Sequence, residues 1–263
     1  MSVRRWRRWL VLAGGLVAVA CLPARAPNCG RIPPDDGCTR VLFIGNSYTF
    51  VNNLPGTFAS MARAHGHAVY TDMIAPGGAT LADHAASREV LDKIRTGHWT
   101  WVVLQEQSQI PSIEQSRQYT MYPSARVLVD AIRSAGASPV VFATWTRRDG
   151  WPENGLPDYA AMQAQVTQGY RTIADELHAL VVPVGDAWAS IAADHTDIPL
   201  WQSDGSHPTV QGTFLAANVF VAALFHETPR GLGTRGAVPE VQVYRLQQAA
   251  ARAVFGESAS RPR

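Results

Sequence analysis

Along the chain, short apolar runs alternate with longer stretches in which apolar residues recur every three or four positions. Val41-Leu42-Phe43-Ile44 is the first such run. Its branched and aromatic side chains read as a buried strand that stops at Gly45. Further strands are expected over 68–75, 99–104, 138–144 and 181–184; the run at 99–104 is nearly all apolar, as suits a central strand buried on both faces. The spacing predicts helices over 52–66, 81–95, 115–136, 158–180, 187–194, 209–226 and 238–254, with Leu54, Phe58 and Met61 on one face of the first and a bend near Pro123 in the third. Residues 149–157, with two prolines and two glycines, and residues 198–208 read as loops. Strands alternating with helices predict an α/β domain: a five-stranded parallel sheet covered on both faces and joined by right-handed crossovers.

Each strand runs into polar residues. Asn46 and Ser47 follow the first, Pro76-Gly77-Gly78-Ala79-Thr80 the second, and Gln105-Glu106-Gln107-Ser108 the third. Trp145-Thr146-Arg147-Arg148 closes the fourth. In open α/β sheets ligands bind at the carboxyl ends of the strands, so these clusters share the functional edge. Alone, each has a plain reading: Ser47 as a helix cap, Gly77-Gly78 as a turn that uses positive φ or close backbone approach. Asp204-Gly205-Ser206-His207-Pro208, before the helix at 209–226, changes that reading. A serine hydroxyl is protonated at neutral pH and needs a base; histidine serves best when a carboxylate holds its tautomer. Asp204 and His207 lie three apart, Gly205 permits the turn between them, and Pro208 suits the first helical position.

Composition narrows the class. The chain has 263 residues, and the first 26 carry Arg4, Arg5, Arg7 and Arg8, an apolar run too short to span a bilayer, and Ala24-Arg25-Ala26 as a small-x-small site. Residues 1–26 are expected to be a signal peptide directing the protein to a secreted, periplasmic or extracellular location. The paired arginines leave the twin-arginine route open, and a lipid anchor at Cys21 is the rival reading. Removing residues 1–26 takes five arginines and no acids, which moves the formal charge from +2 to −3 and argues against nucleic acid as a partner. The lone lysine, Lys93, follows no glycine-rich phosphate loop. In an exported chain Cys29 and Cys38 are expected to form a disulfide that closes the lead-in, residues 27–39. Residues 40–254 form the domain and residues 255–263 a frayed tail.

Gly45-Asn46-Ser47 after a hydrophobic strand, glycine after strand two, a carboxamide after strand three and Asp204-x-x-His207 together resemble the SGNH (GDSL-like) hydrolases over about residues 40–226. The resemblance implies a flavodoxin-like three-layer α/β/α sandwich and ester hydrolysis without metal or cofactor. It assigns Ser47 as nucleophile, His207 as general base and Asp204 as its orienting partner. The oxyanion hole would comprise the Ser47 amide, the amide of Gly78 or else Gly77, and a carboxamide from Gln107 or else Gln105. This chain departs from the family in two places: Gly-Asn-Ser replaces Gly-Asp-Ser, and Gln105-Glu106-Gln107 replaces Gly-x-Asn. An oxyanion donor is worth about 10²–10³ in rate, so the second departure bears on activity. Glu106 is expected either to point away or to bind a substrate hydroxyl.

Other residues receive lesser readings. Asn46, Trp145 and Trp201 are candidates to line the substrate pocket, the tryptophans reading also as packing. His195 is a second candidate base, Asp186 a structural acid after strand five, and His65 and His67 solvated groups at a helix end. The reading that follows is a secreted serine esterase acting on carboxylic esters, including O-acetyl groups on carbohydrate. Acyl transfer to another hydroxyl, and a non-catalytic glycan-binding module on the same fold, are the alternatives. No G-x-S-x-G surrounds Ser47 and no G-x-G-x-x-G follows strand one, which disfavours an α/β-hydrolase and a dinucleotide-binding protein.

Overall fold

The computed structural model describes residues 26–194, 197–229 and 235–256. The expected signal segment with Cys21, the second candidate base His195 and the tail beyond residue 256 lie outside these residues. The strands are β1 (Thr39–Ile44), β2 (Val69–Ile74), β3 (Trp101–Leu104), β4 (Ser138–Ala143) and β5 (Leu180–Pro183). All pair in parallel, in the order β2-β1-β3-β4-β5. The helices are α1 (Ser47–Phe50), α2 (Leu54–Ala64), α3 (Leu81–Ala86), α4 (Arg88–Thr96), α5 (Glu114–Ser116), α6 (Tyr122–Ser134), α7 (Tyr159–Glu176), α8 (Val184–Asp194), α9 (Val210–Phe225) and α10 (Glu240–Phe255).

The two-residue period of β1 divides the interior. Val41 and Phe43 face a core built with α2, α8, α9 and α10, whereas Leu42 and Ile44 face a second core built with α3, α4, α6 and α7. β3 and β4 sort in the same way, Val103, Val140 and Phe142 to the first core and Val102, Leu104 and Val141 to the second. The result is the three-layer α/β/α sandwich. Each of the four apolar side chains of β1 is fully buried, at about 1.5–3 kcal/mol apiece. α9 is apolar around most of its circumference because it is covered on several sides, by α2, α8 and α10. It approaches α8 closely at Gly212, where a Cβ would lie 2.4 Å from the Trp188 ring.

Several boundaries differ from the expected ones, each for a local reason. The helix expected over 81–95 is two helices broken at Ser87, which has extended backbone and caps α4. The bend expected near Pro123 is a π-helical segment, Arg117–Met121, lying just ahead of that proline in the first turn of α6. Gly185 and Asp186 belong to the first turn of α8 instead of a loop after β5. Gly185 answers a close approach, since a Cβ there would lie 2.4 Å from the Thr144 carbonyl oxygen; Asp186 is paired with Arg171 at 2.7 Å. The N-cap of α9 is Thr209, so Pro208 stands outside the helix. His65 and His67 are not solvated: both are partly covered and lie 3.2 Å from the Glu227 carboxylate.

Cys29 and Cys38 form the disulfide. The loop they close is docked on the sheet by Arg40, a fully buried cation whose guanidinium lies 4.4 Å from the Tyr70 ring centre and 4.8 Å from that of Trp99. Arg40 donates to the Gly97 carbonyl at 2.9 Å and to that of Cys29. Cys29→Ser/Cys38→Ser is expected to cost about 2–3 kcal/mol, the loop-closure entropy of so short a ring, and urea denaturation of the two proteins side by side measures it.

Candidate active site

Ser47 opens α1 at the mouth of β1, and three neighbouring loops hold it there. Asn46 caps the turn, its Oδ1 accepting from the Tyr48 amide at 3.2 Å. Its Nδ2 donates to the Ala79 carbonyl at 2.8 Å, tying Ser47 to the glycine turn after β2. Gln105 ties it to the end of β3: Oε1 accepts from the Asn46 amide and the Thr49 hydroxyl, and Nε2 donates to Asn46 Oδ1, all at 2.9 Å. This packing demands glycine at position 45, where a Cβ would lie 2.4 Å from Gln105 Oε1. Buried His84 sits 2.8 Å from the Gly45 carbonyl through Nε2, which must carry the proton to donate there. Burial favours the neutral ring and pushes the His84 pKa down, and the hydrogen bond to the Gly45 carbonyl only partly opposes it.

The loop before α9 folds over the same edge. Asp204 Oδ1 accepts from the amides of Ser206 and His207 at 2.9 and 3.0 Å, winding the loop around its own carboxylate. Gly205 has φ +67°, in the left-handed region, and its carbonyl accepts from the Arg148 amide at 2.8 Å. Trp145 Nε1 donates to the Ser206 carbonyl at 3.0 Å, and Tyr48 Oη and Ser206 Oγ are 2.9 Å apart. The three fastenings place His207 Nε2 2.9 Å from Ser47 Oγ and His207 Nδ1 2.5 Å from Asp204 Oδ2. Partial burial raises the Asp204 pKa, but the hydrogen bonds from the His207 side chain and the two amides outweigh it and hold the carboxyl below its ordinary value.

A cavity of about 140 Å³ opens beside Ser47, lined by Tyr48, Gly78, Gln107, Ser108, Arg147 and His207 among others. Ser47, Asp204, His207, Gly78 and Gln107 are thus gathered at one place. Gln105 is not at the cavity: its carboxamide is fully buried and engaged with Asn46 and Thr49. Gln107 takes the cavity position, its Oε1 accepting from the Gln109 and Ile110 amides while Nε2 is 3.4 Å from Gln109 Oε1. Gly77 does not line the cavity, whereas Gly78, with φ +73°, does.

Three expected pocket residues have other work. Asn46 borders the cavity, but its carboxamide is spent on the loops. Trp145 is fully buried between Tyr48 and Trp188, with ring centres 4.5 and 4.1 Å away and planes within 9° of parallel. Trp201 packs edge-on against Trp188 and Tyr159 and donates to the Thr146 carbonyl at 2.9 Å. Glu106 neither points away nor faces substrate. It is fully buried, and its Oε1 accepts from the Leu81 amide at 3.0 Å and the Gln107 amide at 2.7 Å. Sequence reasoning missed Tyr48, Ser108 and Ser206; adjacency to Ser47, Gln107 and His207 was the available signal.

No protein-family model matches the sequence, and no curated protein matches it either. Solved structures do. A candidate SGNH hydrolase from Slackia heliotrinireducens is 28% identical, with a TM-score of 0.61 over 71% of this chain and 99% of that one. The chain is similar to the SGNH-type (GDSL-like) hydrolases and has their fold. A DUF4886 family protein from Bacteroides uniformis, 18% identical, superposes on the chain with a TM-score of 0.67 over 83% of this chain and 95% of that one. A variant of an acetyl xylan esterase from Geobacillus stearothermophilus, also 18% identical, gives 0.57 over 73% and 97%. These two share its fold.

Burial pushes the Glu106 carboxyl up to about 7, against the Gln107 and Leu81 amides, which pull it down, and with nearby Asp83 adding to the rise. The folded protein therefore holds this proton more tightly than the unfolded chain does, and the group's stability contribution, complete below about pH 4.5, declines as pH rises through 7. The full swing is on the order of 3 kcal/mol. Glu106→Gln is expected to flatten the fall in melting temperature between pH 5 and 8, which differential scanning calorimetry across that range tests.

Proposed function

We propose that this hydrolase is an exported serine esterase that removes short acyl groups, acetyl foremost, from hydroxyls of a carbohydrate. The observation that carries the reading is the chain of contacts from Asp204 Oδ2 to His207 Nδ1 and from His207 Nε2 to Ser47 Oγ, at 2.5 and 2.9 Å. With Nδ1–H donating to the carboxylate, the Nε2 lone pair is left to accept the serine proton. Ser47 Oγ attacks the ester carbonyl as that proton moves to His207. The Ser47 and Gly78 amides and the Gln107 carboxamide stabilise the oxyanion. The tetrahedral intermediate collapses with loss of the alcohol, to which His207 returns the proton. Water then attacks the acyl-enzyme by the same route in reverse, releasing the carboxylic acid and restoring Ser47. No step calls on a metal or cofactor.

The small cavity, with hydroxyls of Tyr48, Ser108 and Ser206 around it, suits an acetyl group better than a fatty chain. The likeness in fold to an acetyl xylan esterase favours a sugar ester. A disulfide among the described residues favours an oxidising compartment, and no described helix is long and apolar enough to cross a membrane.

Hydrolysis of p-nitrophenyl acetate, butyrate and octanoate tests the reading. Wild type is expected to favour acetate, and Ser47→Ala and His207→Ala each to lower kcat/KM by roughly 10⁴-fold or more. A fluorophosphonate probe should label wild type and not Ser47→Ala. Absence of both turnover and labelling would leave the glycan-binding module in its place.

A further inference from the structure

We propose that Arg147 makes this enzyme selective for esters of acidic sugars, binding a carboxylate on the alcohol portion of the substrate; the inference rests on the serine-esterase reading above. Arg147 follows β4, is half-buried, and lines the cavity that holds Ser47 and His207. No acidic group pairs with it among the described residues, and its Nε is buried without an acceptor. The neighbouring Arg148 shows what a satisfied cation looks like here: exposed, and bonded to Asp149 through two nitrogens at 3.0 and 3.1 Å. The acid nearest the reacting atoms, Asp204, is committed to His207 and two amides. The other polar groups lining the cavity, on Tyr48, Gln107, Ser108 and Ser206, are neutral. A partly desolvated guanidinium without a counter-charge is costly to maintain, and its planar set of donors matches a carboxylate bidentately.

The backbone that carries Arg147 is held on both sides. The Thr146 carbonyl accepts from Trp201 and the Arg148 amide donates to Gly205, so the side chain projects from a fixed base. The sheet order decides which part of the substrate it meets. Gly78, Ser47, Gln107 and Arg147 follow β2, β1, β3 and β4, neighbours in that order across the sheet. Gly78 and Ser47, whose amides the serine-esterase reading assigns to the oxyanion, lie toward the β2 side, with Gln107 between them and Arg147. The loop bearing His207 is fastened to the segment after β4. Because His207 returns its proton to the departing oxygen, the alcohol leaves on the β4 side, where Arg147 stands.

The test uses an O-acetylated uronic acid and its uronate methyl ester, a pair that differs in one charge. In wild type the acid is expected to show kcat/KM about tenfold or more above the methyl ester, with the advantage shrinking as salt is raised. Arg147→Gln should bring the ratio of the two substrates to about one, and Arg147→Lys should retain part of it. A wild-type ratio of one or below, or an unchanged ratio in Arg147→Gln, overturns the proposal. Calorimetric binding of the same two compounds to the Ser47→Ala protein gives a readout independent of turnover. Preference for the acid that disappears with the further Arg147→Gln change supports the proposal, and equal or undetectable binding of both refutes it. Turnover of p-nitrophenyl acetate and fluorophosphonate labelling judge the serine-esterase reading separately.

Discussion

Two carboxamides, Asn46 and Gln105, hold the functional edge together. Between them they engage the amide of residue 46, the Thr49 hydroxyl and the Ala79 carbonyl, joining the loops after β1, β2 and β3. Asn46, Thr49 and Gln105 are buried, so removing one partner strands others at about 1–3 kcal/mol apiece. The arrangement also explains why asparagine stands before Ser47 in place of the aspartate of the family pattern. Residue 46 must accept from Gln105 and donate to Ala79 at once; a carboxylate would do the first and would face a carbonyl oxygen at the second. The two departures from the family pattern are therefore one feature, a matched amide pair in place of an acid and a glycine.

A second constraint comes from farther along the chain. The loop with Asp204 and His207 makes its own turn, but its height above Ser47 is set by aromatic stacking. Trp188 on α8 supports Trp145, which stacks on Tyr48 and donates to the loop at Ser206. Close approach of α9 at Gly212 seats Trp188 in turn. Ser47 and His207 thus share one support, although 160 residues separate them.

The sheet was legible in the sequence because its central strands are apolar on both faces, and a run such as Val41 to Ile44 has few other readings. Ser47, Asp204 and His207 stood out as candidates because a serine–histidine–carboxylate set calls for those types at a strand end and in a turn, and the fold brings the three together. What escaped depended on three-dimensional proximity. Gly185 looks like a turn residue, yet it is glycine to admit the Thr144 carbonyl. Glu106 looks like a surface acid, yet it caps amides in the interior. Gln105 and Gln107 carry the same side chain two residues apart and would share a face of a continuing strand; only the turn of the chain after β3 ends at Leu104 sends one inward to Asn46 and the other to the cavity. His65 and His67 gave no hint of Glu227, which lies far away in sequence.

Arg40 has a consequence for how the molecule presents itself. It anchors the disulfide-closed lead-in at the start of β1, whereas Ser47 follows the strand's end, about 20 Å away for six extended residues. The polypeptide thus enters the domain at one pole and carries the candidate active site at the other. Anything that held the protein by its amino-terminal side, whether an envelope surface or an attached module, would leave the reactive pole turned outward. A bulky polymer could then be approached end-on, without the enzyme having to turn away from its support.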